Sequence, residues 1–182
     1  LVHRDLKPEN VMVCLKHFPM DADESSVKIV DFGISRFLVS KSDAPRTLCG
    51  TPGNFAPEIF TQEYSFPCDV FSFGILMYKT IFKAEAFPNI RFVSDYKRAI
   101  DEKQKPKILF PLPPLVQEIL FQCLNYSPDC RPTFQELTQF FRNCVLHFRQ
   151  GNSFPDIPGK KEDKDVEEVA QNLLDVLTPV GS

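Results

Sequence analysis

One segment, CDVFSFGILMYKTIF (68–82), constrains the fold more than any other part of the chain, because it is apolar nearly all round a helix. Such a helix is stable in water only when other parts of the chain surround it. Asp69 stands in a capping position at its start. Apolar residues make up 43% of the 182 residues, which is ample for a packed core. We therefore predict a buried central helix with the rest of the domain around it.

Further helices are predicted on the C-terminal side of this segment. Apolar residues recur at spacings of three and four in IRFVSDYKRAID (90–101), PPLVQEILFQCL (113–124) and TFQELTQFFRNCVLHF (133–148). Thr133 and Glu136 have the spacing of a capping box, which marks the start of the last of the three. The sequence therefore predicts a mainly α domain.

A small β-hairpin is predicted near the N-terminal end. VMVCL (11–15) and VKIV (27–30) have the composition of short strands, and KHFPMDADESS (16–26) between them forms a long tip. Asn10 and Asp31 then lie at the two open ends of the hairpin. Residues 31–56 lack periodicity and contain many small and turn-forming residues, so we expect an extended loop there.

The C-terminal part has a different composition. GNSFPDIPGKKEDKD (151–165) is polar and contains Pro and Gly, as linkers do, and VEEVAQNLLDVL (166–177) is an amphipathic helix candidate. We divide the chain into a domain (1–148), a linker (149–165) and a helix with a tail (166–182). The last helix either packs on the domain or binds a partner in a groove.

The net charge and the cysteine content limit the classes of function and the cellular locations that fit this chain. The net charge is −3, so no basic field favours nucleic acid or anionic lipid. The longest apolar stretch, FSFGILMY (71–78), is too short to span a membrane. The six Cys form no CxxC pair, and the apolar content removes the need for disulfides. We expect free thiols and a cytoplasmic protein, with the nucleus also possible.

Several motifs occur in a fixed order. HRDLKPEN (3–10), DFG (31–33), GTP (50–52), APE (56–58), DVFSFG (69–74) and CRPTF (130–134) together resemble the signature set of the eukaryotic protein kinase family, over roughly residues 1–148. Lys7, two residues after Asp5, and Thr51 resemble Ser/Thr kinases. DVFSFG and NYSPDCRPTFQEL (125–137) resemble the tyrosine-kinase-like group, and dual specificity stays open. The resemblance implies the large, C-terminal lobe of that fold.

The resemblance also implies catalytic roles. Asp5 would accept or orient the proton of a substrate hydroxyl, and Lys7 would neutralise charge on the transferred phosphoryl group. Asn10 and Asp31 would hold Mg²⁺. Met12 would pack under the adenine of ATP, or would simply fill the core. The implied cofactors are ATP and Mg²⁺, and the implied partner is a protein substrate.

Structural and regulatory roles follow from the same resemblance. Phe32, beside Gly33, would be a core residue that sets the state of its loop, and Asp69 would cap its helix, hold the HRD backbone, or both. His3 would support packing rather than carry protons, and Glu58 would form a buried salt bridge with Arg131. A phosphate on Thr47 would pair with Arg4 and Arg36, although Thr47 is otherwise an unmodified loop residue.

The sequence also departs from the family pattern. Asn54 stands where the family has an aromatic residue, and residues 1–182 contain no GxGxxG motif. We therefore expect a fragment that begins inside a kinase domain, without its N-terminal β-rich lobe, and that is inactive alone. The alternative is a non-catalytic pseudokinase or scaffold lobe. A metal hydrolase that uses the Asp and Asn residues has no His ligand set to support it.

Overall fold

The computed structural model describes residues 1–13, 27–37, 50–61 and 65–149, with side chains to residue 146. These residues form a two-stranded sheet and four α-helices. The elements are β1 (Val11–Val13), β2 (Val27–Ile29), α1 (Pro67–Phe82), α2 (Val93–Asp101), α3 (Pro114–Cys123) and α4 (Phe134–Arg149). The predicted mainly α fold with one hairpin is confirmed. The hairpin tip and the predicted helix at 166–177 lie outside the described residues.

The central helix forms as predicted, one residue earlier than the pattern indicated. α1 begins at Pro67, whose missing N–H costs nothing in a first turn. It ends at Phe82, and the next residue, Lys83, adopts a left-handed conformation with φ 52°. Gly74 permits close contact with α3, because a Cβ atom there would lie 2.9 Å from Cys123 Cβ. α1 thereby becomes the axis on which the other helices pack.

The predicted capping role of Asp69 is wrong. The residue before the helix is Phe66, which makes no side-chain capping bond, and Asp69 lies inside the first turn. Its carboxylate accepts hydrogen bonds from the N-terminal loop instead. The Asp69 carboxylate, which the sequence pattern predicted to cap the helix, therefore binds the backbone of a distant loop.

The two strands pair in an antiparallel register, with Val11 opposite Ile29 and Val13 opposite Val27. The Val30 N–H donates to the Asn10 carbonyl at 2.9 Å, which continues the pairing past the strand ends. Val2 and Arg36 exchange two backbone hydrogen bonds of 2.8 and 2.9 Å. The segments on either side of the hairpin are thus joined to each other at its open end.

The outer helices are confirmed within a few residues of their predicted bounds. Thr133 and Glu136 form the predicted capping box at α4: the Thr133 N–H donates to Glu136 Oε2 at 2.7 Å, and the Glu136 N–H donates to Thr133 Oγ1 at 3.2 Å. α2 is attached to the loop before α1 by Tyr96, whose buried hydroxyl donates to the Phe55 carbonyl at 2.7 Å. The loop that follows Gly50 is therefore attached to the helical core.

Cys68, Cys123, Cys130 and Cys144 are free thiols, as expected, and the other two Cys lie outside the described residues. Among the helices that the structure describes, none has the length and apolar content needed to cross a membrane.

Candidate active site

The polar N-terminal loop is held in place by the central helix. The backbone N–H groups of His3 and Arg4 donate to the two carboxylate oxygens of Asp69, at 2.6 and 2.8 Å. Burial raises the pKa of Asp69, and the two N–H bonds act in the opposite direction. Arg4 has a φ of 72°, a conformation that a non-glycine residue adopts at a cost. Asp69 therefore stabilises a strained backbone at the start of this loop.

His3 is buried and uses both ring nitrogens for structure. Its Nε2 lies 3.0 Å from the Val30 carbonyl, and its Nδ1 accepts the Asp5 N–H at 3.3 Å. These two contacts suit the tautomer that carries hydrogen on Nε2. His3 thus connects the loop to the hairpin, and its supporting role in place of proton transfer stays a prediction.

Phe32 is not a core residue, contrary to expectation. Half of its surface is exposed, and its ring meets the edge of the His3 ring at 4.9 Å between centroids. Its influence on the loop stays a prediction.

Asp5 is the centre of a hydrogen-bonded cluster. Lys7 Nζ lies 2.7 Å from one carboxylate oxygen, and the Thr51 hydroxyl donates to the other at 2.9 Å. The Thr51 N–H also donates to that second oxygen, at 3.1 Å, and Lys7 Nζ lies 2.9 Å from the Thr51 hydroxyl. Three residues singled out from two distant motifs are therefore in direct contact.

The cluster keeps Asp5 ionised. Burial acts to raise the pKa of Asp5, but the hydrogen bonds from Lys7 and Thr51 outweigh it and lower the pKa below its ordinary value. The carboxylate consequently stabilises the folded state above the ordinary pKa of Asp. This contribution is lost as the pH falls through the lowered value. At neutral pH Asp5 is a hydrogen-bond acceptor held in one orientation.

Asn10 and Asp31 lie at the open ends of the hairpin, as predicted. Buried Asn10 ends a short 3₁₀ helix (Pro8–Asn10), and its Nδ2 donates to the Asp5 carbonyl at 2.8 Å. This hydrogen bond engages the side-chain nitrogen of Asn10, and it does not use the amide oxygen. Asp31 is exposed, with a φ of 62°, and accepts the Gly33 N–H at 3.3 Å.

These two residues fit a magnesium ion by donor chemistry. They offer one amide oxygen and one carboxylate, which are hard ligands. Among the described residues, no group of three or more His, Cys, Asp or Glu could hold a metal. Mg²⁺ commonly binds through one or two carboxylates together with water and substrate phosphates. These two residues could supply two of the oxygen ligands of a Mg²⁺ ion, with the remaining positions left to water or to other ligands.

Met12 does not fill the core. It lies on β1 with 57% of its surface exposed, so this alternative is wrong. A role beside adenine stays a prediction.

The structure describes only two of the three residues named in the regulatory prediction, Arg4 and Arg36. Arg4 Nε donates to the Ile34 carbonyl, so the Arg4 side chain reaches the segment after DFG. Arg36 is exposed in that same segment. Thr47 lies outside the described residues.

Two further residues shape the site. Gly50 has a φ of 97°, and a Cβ atom there would lie 2.7 Å from the Arg4 carbonyl oxygen. Only glycine lets the chain approach so closely and place Thr51 on Asp5. Sequence reasoning missed Gly50, although a glycine directly before Thr51 was an available signal. Asn54, noted for its departure from the family, is buried, and its Oδ1 has no hydrogen-bond partner among the described residues.

Glu58 and Arg131 are in contact behind the site. Arg131 Nη1 and Nη2 bind the two Glu58 oxygens at 2.6 and 2.8 Å, and the Arg131 side chain is fully buried. The guanidinium also donates to the carbonyls of Pro67 and Asn125 and lies 5.0 Å from the Phe71 ring centroid. This pair attaches the 3₁₀ helix Pro57–Thr61 to the start of α1.

Comparison with known proteins agrees with this geometry. The family model of the protein kinase domain matches residues 1–141, so the chain belongs to the protein kinase family. It is 34% identical to a probable serine/threonine-protein kinase of Dictyostelium discoideum, over 86% of the chain and 20% of that protein. It is 31% identical to the serine/threonine-protein kinase ATG1 of Debaryomyces hansenii, over 100% of the chain and 21% of that protein. The chain thus spans about a fifth of the length of these curated relatives.

Proposed function

We propose that the chain is the large, C-terminal lobe of a serine/threonine protein kinase, with features of the tyrosine-kinase-like group, that transfers the γ-phosphoryl group of ATP to protein Ser and Thr hydroxyls. The observation that carries the proposal is the Asp5 carboxylate, held between Lys7 and Thr51 on a loop that Asp69 fixes to the central helix. The Ser/Thr kinases among its relatives support the substrate class.

The chemistry follows from the charges of this cluster. Phosphoryl transfer asks the protein mainly for positioning and charge neutralisation. The ionised Asp5 accepts a hydrogen bond from the attacking hydroxyl and orients it. Lys7 can turn its ammonium from Asp5 to the equatorial oxygens of the transferred group, where negative charge is concentrated. Thr51 keeps Asp5 in place while Lys7 moves, because it binds the other carboxylate oxygen.

Asn10 and Asp31 would hold Mg²⁺, and Met12 would lie against the adenine of ATP. The bound ion would neutralise phosphate charge. The side-chain nitrogen of Asn10 donates hydrogen bonds to Asp5. If the amide oxygen of Asn10 bound Mg²⁺, the same side chain would link the position of the metal to the position of the Asp5 carboxylate.

Replacement of Asp31 by Asn tests the metal role. We expect Asp31→Asn to raise the Mg²⁺ concentration needed for half-maximal phosphotransfer about tenfold or more, because an anionic oxygen ligand is lost. Titration of activity with Mg²⁺ at saturating ATP measures this. Asp129→Asn, in the 3₁₀ helix Pro128–Cys130, is the control, and an unchanged requirement in Asp31→Asn contradicts metal binding there.

The proposed activity is tested on the protein expressed from its gene, with any residues that precede Leu1, and on residues 1–182 alone. We expect the former to label Ser and Thr peptides from ATP. We expect the latter to transfer little phosphate, because residues 1–182 contain no glycine-rich loop. Labelling of Tyr peptides alone contradicts the substrate class. Failure of the gene product to transfer phosphate at all favours the scaffold alternative.

We also propose that a phosphate on Thr47 orders its loop by pairing with Arg4 and Arg36. A phosphate carries a charge of about −2 and forms strong bonds with guanidinium groups. We expect phosphopeptide mapping of active protein to find Thr47 modified, and Thr47→Ala to lower activity about tenfold or more. Ser42→Ala, in the same segment, is the control. Full activity with Thr47 unmodified refutes the proposal.

The free thiols of the described residues support a cytoplasmic or nuclear location, which we retain as part of the proposal.

A further inference from the structure

A proline-rich segment, FPLPP (110–114), stands between α2 and α3 and includes the first residue of α3. The fold accounts for two of its three prolines. Pro113 is buried, and Pro114 begins α3, where a proline suits the first turn. Pro111 is exposed and begins no helix, and its neighbour Leu109 has 54% of its surface exposed. Neither residue is explained by packing within the described domain.

The segment is remote from the candidate active site. The ring of Phe110 contacts the ring of Phe82, the last residue of α1, at 4.8 Å between centroids. Asp69, which binds the N-terminal loop, lies in the first turn of the same helix. At the rise of an α-helix, Phe82 and Asp69 are about 20 Å apart along α1. A molecule bound at the proline-rich segment therefore leaves the Asp5 cluster accessible.

Covalent structure favours polyproline II backbone from Phe110 to Pro113. A proline fixes its own φ and disfavours the helical conformation of the residue before it. Phe110, Leu112 and Pro113 each precede a proline. Pro113 has φ −47° and ψ 130°, near the values of polyproline II. No backbone N–H between Lys105 and Leu112 donates to another backbone group of the described chain, as is usual for this conformation.

The segment is also held in place at both ends. The hydroxyl of Tyr78 donates to the Lys107 carbonyl at 2.7 Å, and the Gln117 N–H donates to the Pro113 carbonyl at 2.8 Å. A ligand that is already fixed in its bound conformation loses little entropy on binding.

We propose that residues 109–114 are a docking site for a partner domain that binds PxxP sequences in an aromatic-lined groove. Polyproline II repeats every three residues, so Pro111 and Pro114 lie on one edge of the segment, about 9 Å apart. Both are exposed, whereas Pro113 lies on another edge and is buried. The exposed edge thus carries the two prolines of a PxxP ligand, and domains of this kind bind such a preformed edge.

The charges beside the segment specify the partner further. From Lys103 to Gln117 the chain contains three lysines and no Asp or Glu, although the net charge of the whole chain is −3. The three, Lys103, Lys105 and Lys107, are exposed, and none forms an ion pair with another described residue. The groove that fits this ligand therefore has acidic residues at its rim.

The test uses the 182-residue chain, with purified SH3, WW and EVH1 domains as probes. We expect a probe with an acidic groove rim to bind with a Kd below about 100 µM, and Pro111→Ala to weaken that binding about tenfold or more. Pro88→Ala removes another exposed proline and should leave the Kd unchanged. The thermal midpoint, measured in parallel, shows that each variant is folded.

Lys107→Glu gives a second measurement that does not alter a proline. It should weaken binding of the same probe, more strongly at low than at high ionic strength, whereas Lys28→Glu on the hairpin should not. Absence of binding by every probe overturns the proposal, as does an equal Kd for the parent and Pro111→Ala.

A second PxxP sequence, residues 155–158, provides a further control. Loss of binding in Pro158→Ala, with binding retained in Pro111→Ala, overturns the proposal, because the probe then binds that sequence instead. None of these measurements uses phosphotransfer, so the outcome is independent of the proposed function.

Discussion

Asp5→Asn is expected to lower phosphotransfer on the order of 100-fold or more in the gene product, while the fold is retained. Asn has nearly the same shape as Asp, so Thr51 can still donate to its side-chain oxygen. It has no charge, however, and so accepts a weaker hydrogen bond from the attacking hydroxyl and no longer attracts Lys7 at 2.7 Å. Turnover at saturating ATP and peptide, with the thermal midpoint measured in parallel, separates catalysis from stability.

The matched control is Asp101→Asn. Asp101 is an exposed carboxylate on α2 that also pairs with a lysine, at 2.6 Å. We expect its removal to leave turnover unchanged, because it touches no residue of the site. Parental turnover in Asp5→Asn removes Asp5 from the reaction. A large fall in the thermal midpoint shows instead that Asp5 is needed for the fold.

Arg131→Met is expected to destabilise the domain by about 3–5 kcal/mol. The substitution keeps an apolar stem against Phe71 but leaves the Glu58 carboxylate largely buried without its partner. It also removes the donors to the carbonyls of Pro67 and Asn125. Urea unfolding measures the free-energy change, and the thermal midpoint should fall by about 6–20 °C for a domain of this size.

The exposed pair of Lys97 and Asp101 provides the comparison. Its nitrogen–oxygen distance is 2.6 Å, the same as in the Arg131–Glu58 pair, but both side chains are more than half exposed. Lys97→Met should therefore change stability by no more than about 0.5 kcal/mol. A double variant, Glu58→Gln with Arg131→Met, should lose less than the sum of the single losses, because no buried charge remains. Equal effects of Arg131→Met and Lys97→Met contradict the argument from burial.

Local structure was predictable where one physical pattern acts alone. The extents of α1 and α4 follow from apolar spacing, and the start of α4 also follows from a capping box, both of which operate within a few residues. The two strands follow from short β-branched runs. Phe32 and Met12 show where such patterns stop, because an apolar residue type does not say whether a neighbour covers it. Both are about half exposed.

The candidate site was predictable in residue types and not in contacts. The resemblance selected Asp5, Lys7 and Thr51 from motifs in the sequence. Nothing local indicates that the Thr51 N–H and hydroxyl both bind one oxygen of a carboxylate 46 residues away. Gly50 makes this contact possible, and its role is visible only once the backbone of Arg4 lies against it.

The sequence by itself determined the helices, the hairpin and the chemical groups available to the site, because these depend on spacing and residue type over short ranges. The tertiary structure decided what Asp69 does, since a carboxylate in the first turn of a helix can cap that helix or bind another segment. Here it accepts two N–H groups from a loop 66 and 65 residues away. Packing on the central helix therefore supplies the acceptor for these two N–H groups and fixes the backbone of the site.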